Sequence, residues 1–117
     1  MDSYRELVVW QKAMDLAEEV YRIVRLFPKE EQFSLSDQLR RAAVSVPSNI
    51  AEGYGRKAAK EYARFLNIAR GSNNEVETQL LLSIRFGYVT EQTIKNAMQL
   101  SDEIGKMLTA LTKKLTP

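Results

Sequence analysis

The residues from Leu39 to Lys57, LRRAAVSVPSNIAEGYGRK, restrict the possible folds more than any other stretch of the 117-residue chain. Leu39, Ala42, Val46, Ile50 and Gly53 recur in steps of three and four, which marks one stripe of a helix. At about 100° per residue, the far side of such a helix should be charged. It carries Val44, Pro47 and Ala51 instead, with Arg40 and Ser48 as its main polar members. A helix with two apolar faces is buried on two faces. In a chain this short the second face is predicted to meet another subunit, which makes Val44, Pro47, Ser48 and Ala51 candidate interface residues. Pro47 also removes a backbone donor, so the helix is expected to kink there and to free the Ala43 carbonyl.

Between the two faces runs a polar ribbon of Gln38, Arg41, Ser45, Asn49 and Glu52. Such groups need hydrogen-bond partners if buried. The ribbon is read as a structural network holding helices or subunits in register; a ligand or nucleic-acid groove is the other reading. Arg41 belongs to the ribbon, and Arg40 is expected to be the more exposed of the two, at the subunit boundary.

Three further segments are helical. The first is expected from Arg5 to Phe27, with a stripe of Trp10, Ala13, Ala17, Val20, Val24 and Phe27 widened by Met14 and Tyr21. Asp15, Glu18, Glu19, Arg22 and Arg25 take other faces, and Glu18 and Arg22 are spaced to pair. Pro28 stops this helix, and Ser34 or Ser36 caps the Pro47 helix. Gly53 and Gly55 are expected to end that helix through positive φ. The next starts between Lys57 and Lys60 without an N-cap and runs to Phe86 on Tyr62, Phe65, Ala69, Ser72, Val76, Leu80 and Ser83. Gly71 and Ser72 in its middle suit the close approach of a neighbouring helix. Leu81 and Leu82 leave the stripe and join the candidate interface. Gly87 closes this helix, and Thr90 caps a last one built on Ile94, Met98, Ser101, Ile104, Leu108, Leu111 and Leu115, with Lys113 and Lys114 in its final turn. Four long helices with short links predict an all-α, antiparallel up-and-down four-helix bundle, kinked at Pro47, as a single domain over residues 1–117.

Composition matters chiefly through two zeros. The chain has no Cys and no His, which excludes thiolate chemistry, Ser-His-Asp and Cys-His nucleophiles, His-ligated metals and the usual zinc sites. A di-iron bundle needs Glu-x-x-His pairs and is excluded likewise. Glu75 and Glu77 stand roughly 200° apart on their helix and do not converge. Gly53-Tyr54-Gly55-Arg56-Lys57 lacks the spacing and the Ser/Thr of a phosphate loop. No catalytic residue, metal site or cofactor is expected, and the chain is read as a non-enzyme. Without a signal-like N-terminus or a spanning apolar run, it is expected to be cytoplasmic and to have no membrane partner.

Charge is unevenly placed. Residues 40–70 hold seven basic side chains against two acidic ones, a balance of +5, whereas the remainder holds ten against thirteen, or −3. Arg56, Lys57, Lys60 and Arg64 follow the glycine pair, and Tyr54 stands between the glycines, suited to stack on a base. With Arg40, these are the candidate nucleic-acid contacts. No sequence-reading motif accompanies them, so weak, salt-sensitive binding of low specificity is predicted.

Three blocks, LVVWQKAMDLAEEVY (Leu7 to Tyr21), QLRRAAVSVPSNIAEGYGRK (Gln38 to Lys57) and GSNNEVETQL (Gly71 to Leu80), resemble the bacterial four-helix-bundle proteins encoded in intervening sequences of 23S ribosomal RNA genes, often labelled ribosomal-protein-like. The chain is similar too to the accessory variability proteins of diversity-generating retroelements. Ser34 departs from the glycine of many relatives, and Asn73, at the edge of the core stripe, from a common apolar residue. The resemblance implies a ring-shaped homopentamer associated with RNA or DNA and, in the retroelement branch, a reverse transcriptase as a further partner. The competing reading is a structural adaptor, a scaffold ring that binds a protein and no nucleic acid. Exposed, converged cations at Arg56, Lys57, Lys60 and Arg64 favour binding; pairing with Glu52 and Glu61 favours the adaptor.

Overall fold

The computed structural model describes residues 3–117. Met1 and Asp2, where the leader-free reading of the N-terminus begins, lie outside them. Four helices follow one another: α1 (Val8–Val24), α2 (Leu35–Tyr54), α3 (Ala59–Arg85) and α4 (Glu91–Leu115), with no strand among the described residues. Each helix packs on its neighbours in sequence, and α1 closes the ring against α4. Gln38 and Ser45 of α2 meet Gln79 and Ser72 of α3, so these two helices run in opposite directions. Lys12 of α1 reaches Glu103 of α4, while Glu19 and Arg22 border a groove with Gln92 and Asn96, so α1 and α4 also run in opposite directions. No helix among the described residues is long and apolar enough to cross a membrane.

The inner stripe of α2 is buried at Leu39, Ala42, Val46, Ile50 and Gly53. Leu16, Leu66, Leu80, Ile104 and Leu108 complete the fully buried centre of the bundle. The first helix is shorter than its expected span. Tyr4–Glu6 form a separate 3-10 turn whose Ser3 side chain accepts the Arg5 N–H at 3.1 Å, and Leu7 is extended before α1 begins. Its inward stripe is Val9, Ala13, Leu16, Val20 and Ile23, whereas Met14 and Tyr21 are exposed. Glu19 is buried and takes Arg22 as its ion-pair partner, in place of the expected Glu18 pair.

Neither expected serine caps α2 with its side chain. Ser36 is buried, and Ser34 sits at the cap position without a side-chain bond. The Leu35 N–H is accepted instead by the Glu31 carboxylate at 3.1 Å, and the second Glu31 oxygen accepts the Tyr88 hydroxyl at 2.6 Å. Gly55 has φ −77°, and the one positive glycine φ among the described residues, 81°, belongs to Gly87 at the end of α3. Gly53 is needed for contact rather than for φ: a Cβ there would stand 2.8 Å from Phe65 Cβ and 3.0 Å from the Tyr62 ring. Helix α2 runs unbroken through Pro47, which the chain itself buries. Thr90 caps α4, accepting the Thr93 N–H at 3.3 Å.

Candidate nucleic-acid interface

The close approach at Gly53 sets α3 against the end of α2, so the short link between them carries its cations onto the first turns of α3. There the Arg56 guanidinium lies 4.8 Å from the Phe65 ring centroid and that of Arg64 lies 4.6 Å from it. Each is also paired within the chain. Arg56 Nη2 donates to Glu52 Oε2 at 2.6 Å, and Arg64 donates through Nε and Nη2 to the two Glu61 oxygens at 3.1 and 3.2 Å. The bond from Arg64 holds the Glu61 carboxyl below its ordinary value, and Glu61 in turn raises Arg64. Lys57 and Lys60 are exposed and take part in no ion pair among the described residues. Tyr54 is half-buried, edge-on to Tyr62 at 6.0 Å between centroids. Burial, and secondarily Tyr54, raises the Tyr62 hydroxyl above its usual pKa.

Arg40 does not join this cluster. It is half-buried toward the start of α2, where Nη2 donates to the Gln32 carbonyl at 3.1 Å. Arg41 is the exposed one and pairs with Asp37 at 2.9 Å on its own helix, which reverses the expected order of exposure. The remaining ribbon divides. Ser45 bonds Ser72 at 2.8 Å and Asn49 donates to Ser45, which ties α2 to α3. Gln79 reaches Gln38 at 3.4 Å, and Glu52 serves Arg56.

On the second face Val44 is 44 % exposed, Ser48 is exposed with its hydroxyl donating to the Val44 carbonyl, and Ala51 is half-buried. Pro47, being buried, is not available to a partner. Leu81 and Leu82 are 47 % and 36 % exposed. Adjacent residues diverge by about 100°, so only one of them can share a face with a given neighbour. Leu82 falls within about 40° of Ile68, an exposed residue that the stripe reading overlooked although its spacing of two heptads was visible. Gly71 lies between them in sequence with nothing within 4 Å of a Cβ, so of the Gly71–Ser72 pair it is Ser72, buried and bonded to Ser45, that meets a neighbouring helix. An open groove of about 540 Å³ between α3 and α4, bordered by Arg70, Lys106 and Lys113, had no counterpart in the sequence reading.

The family model described as 23S rRNA-intervening sequence protein matches residues 5–110. No curated protein is significantly similar to the chain. Among solved structures, the chain is similar to a protein of unknown function from the S23 ribosomal protein family of Bacteroides thetaiotaomicron. The two share 29 % identity with a TM-score of 0.81, over 91 % of this chain and 99 % of the relative.

Proposed function

This chain belongs to the 23S rRNA-intervening sequence protein family, and from that premise we propose that it acts without catalysis, as a self-associating bundle that holds nucleic acid by its phosphates. The observation that carries the reading is the seating of Arg56 and Arg64 over Phe65, with the exposed Lys57 and Lys60 beside them in sequence and outside any ion pair among the described residues. Copies of the patch around a homo-oligomer, a pentamer in this reading, sum into a field that attracts polyanions. The family's rRNA name makes RNA the first ligand to test. Titrating a labelled single-stranded RNA should give binding at low salt that weakens steeply at moderate salt and changes little with base sequence. No binding at low salt would reject the reading.

A second reading has its own observation. The Glu52–Arg56 and Glu61–Arg64 pairs cancel half of the patch, which favours a scaffold that binds a protein and leaves nucleic acid alone. In that case the RNA titration stays flat while the particle remains oligomeric.

A further inference from the structure

Glu52 and Glu61 do more at this end of the bundle than balance charge. Each carboxylate lies on the edge of a guanidinium that would otherwise be offered to a ligand, 2.6 Å from Arg56 and 3.1 Å from Arg64. Phe65 meanwhile supports both guanidiniums from below, at 4.8 and 4.6 Å from its centroid. Carboxylate and phosphate present the same oxygen pair to the guanidinium fork, so they compete for the same N–H groups. The pairs are solvated, with side chains between 44 % and 56 % exposed. Exposed pairs of this kind are weak enough to exchange.

We infer that Glu52 and Glu61 are built-in competitors for phosphate, holding the two arginines half-occupied so that only a polyanion with several phosphates in reach displaces them, an inference that rests on the nucleic-acid reading of this site. The ligand class follows from the geometry. Arg56 and Arg64 already cover the Phe65 ring, so that ring offers no platform to a base, and the arginines meet the phosphodiester chain. Glu61, held below its ordinary pKa by Arg64, stays charged throughout the neutral range, so its competition for Arg64 operates there. Selectivity is then for charge density along a strand, and single phosphates gain little.

The test uses the full-length chain carrying Glu52→Gln and Glu61→Gln, beside wild type and a charge-matched control, Glu30→Gln with Asp102→Asn, whose positions lie away from the patch. Circular dichroism checks that all three are helical, and each is titrated with the same labelled single-stranded RNA over a salt series. The double glutamine variant should bind about three- to thirty-fold more tightly at low salt. Its salt dependence should steepen by up to ~1.4 in log–log slope, about 0.7 for each freed arginine on a single strand. The control should follow wild type. If wild type binds and the double variant matches it, or the control gains as much, the competitor role is overturned while the nucleic-acid reading stands. If no protein of the three binds at low salt, that reading falls and the competitors with it.

Discussion

Asn73 of α3 and Ser101 of α4 clasp each other in the core. The asparagine amide donates to the Ser101 carbonyl at 2.9 Å, and its oxygen accepts the Ser101 hydroxyl at 3.0 Å, with both residues buried. The polar side chain at this core position is thereby answered on the facing helix, since a buried amide without partners would be costly.

Asn73→Ala should therefore destabilise the fold by about 1–3 kcal/mol, from the lost bonds and the space left behind. Removing both polar partners at once, as in Asn73→Leu with Ser101→Ala, should cost distinctly less than the sum of the single changes. Urea unfolding of the four proteins measures this as a double-mutant cycle. Additive costs would show that the clasp contributes nothing as a pair.

Two helical glycines should respond in opposite directions to the same change. A Cβ at Gly53 would meet Phe65 and Tyr62 at 3.0 Å or less, so Gly53→Ala should destabilise by about 1–3 kcal/mol despite its better helix propensity. Gly71 has open space around it, and Gly71→Ala should stabilise an isolated bundle by about 0.4–1 kcal/mol. Thermal melts at matched dilution compare them. Equal shifts of the same sign would contradict the packing seen at α2 and α3.

How much of this was legible in the sequence follows from which interactions are local. The α2 stripe from Leu39 to Gly53, the Gly87 stop and the Thr90 cap depend on neighbours within a turn or two, and their spacing predicts them correctly. In α1 the row Trp10, Met14, Ala17, Tyr21 lies beside the true core row and is equally apolar, so periodicity could not choose between them. The cap of α2 comes from Glu31, whose carboxylate is steered by Tyr88 from across the bundle. Nothing in local spacing signals that. At the candidate interface the Glu52–Arg56 and Glu61–Arg64 spacings were in view, but whether such pairs close depends on the Phe65 ring that both guanidiniums share. Arg40 and Arg41 exchanged roles because the Gln32 carbonyl, in the link before α2, captures the first of them.

The Glu31–Tyr88 bond makes stability depend on pH. The Tyr88 hydroxyl, then the Leu35 N–H, lower the Glu31 carboxyl below its ordinary value of 4.5. A carboxyl lowered in the folded state contributes stability that is complete above its unfolded pKa and is lost as pH falls through the folded one. Tyr88→Phe should lower the urea midpoint at neutral pH, and the gap to wild type should narrow as pH drops below 4.5. Some acid dependence should remain in the variant, because the Leu35 N–H still bonds Glu31. A gap that stays constant far below that pKa would show that the carboxylate charge plays no part.

The proposed self-association would use the surface that α2 and α3 leave uncovered, and it is open to a direct trial. Val44 is 44 % exposed in the single chain, so Val44→Glu places a charge in water and costs the lone bundle little. Buried against another copy, the same carboxylate would lack a partner and its desolvation would oppose assembly. Ala51→Glu, from a half-buried position on the same face, should act likewise, and Leu82→Glu probes the neighbouring helix. All three variants should keep the helical signal of wild type while light scattering reports a smaller particle. Because Pro47 is covered by its own chain, the apolar character of the face falls to Val44 and Ala51, and a single charge is a sharp perturbation there. A mass unchanged by every one of these substitutions would mean that this face is not where copies meet.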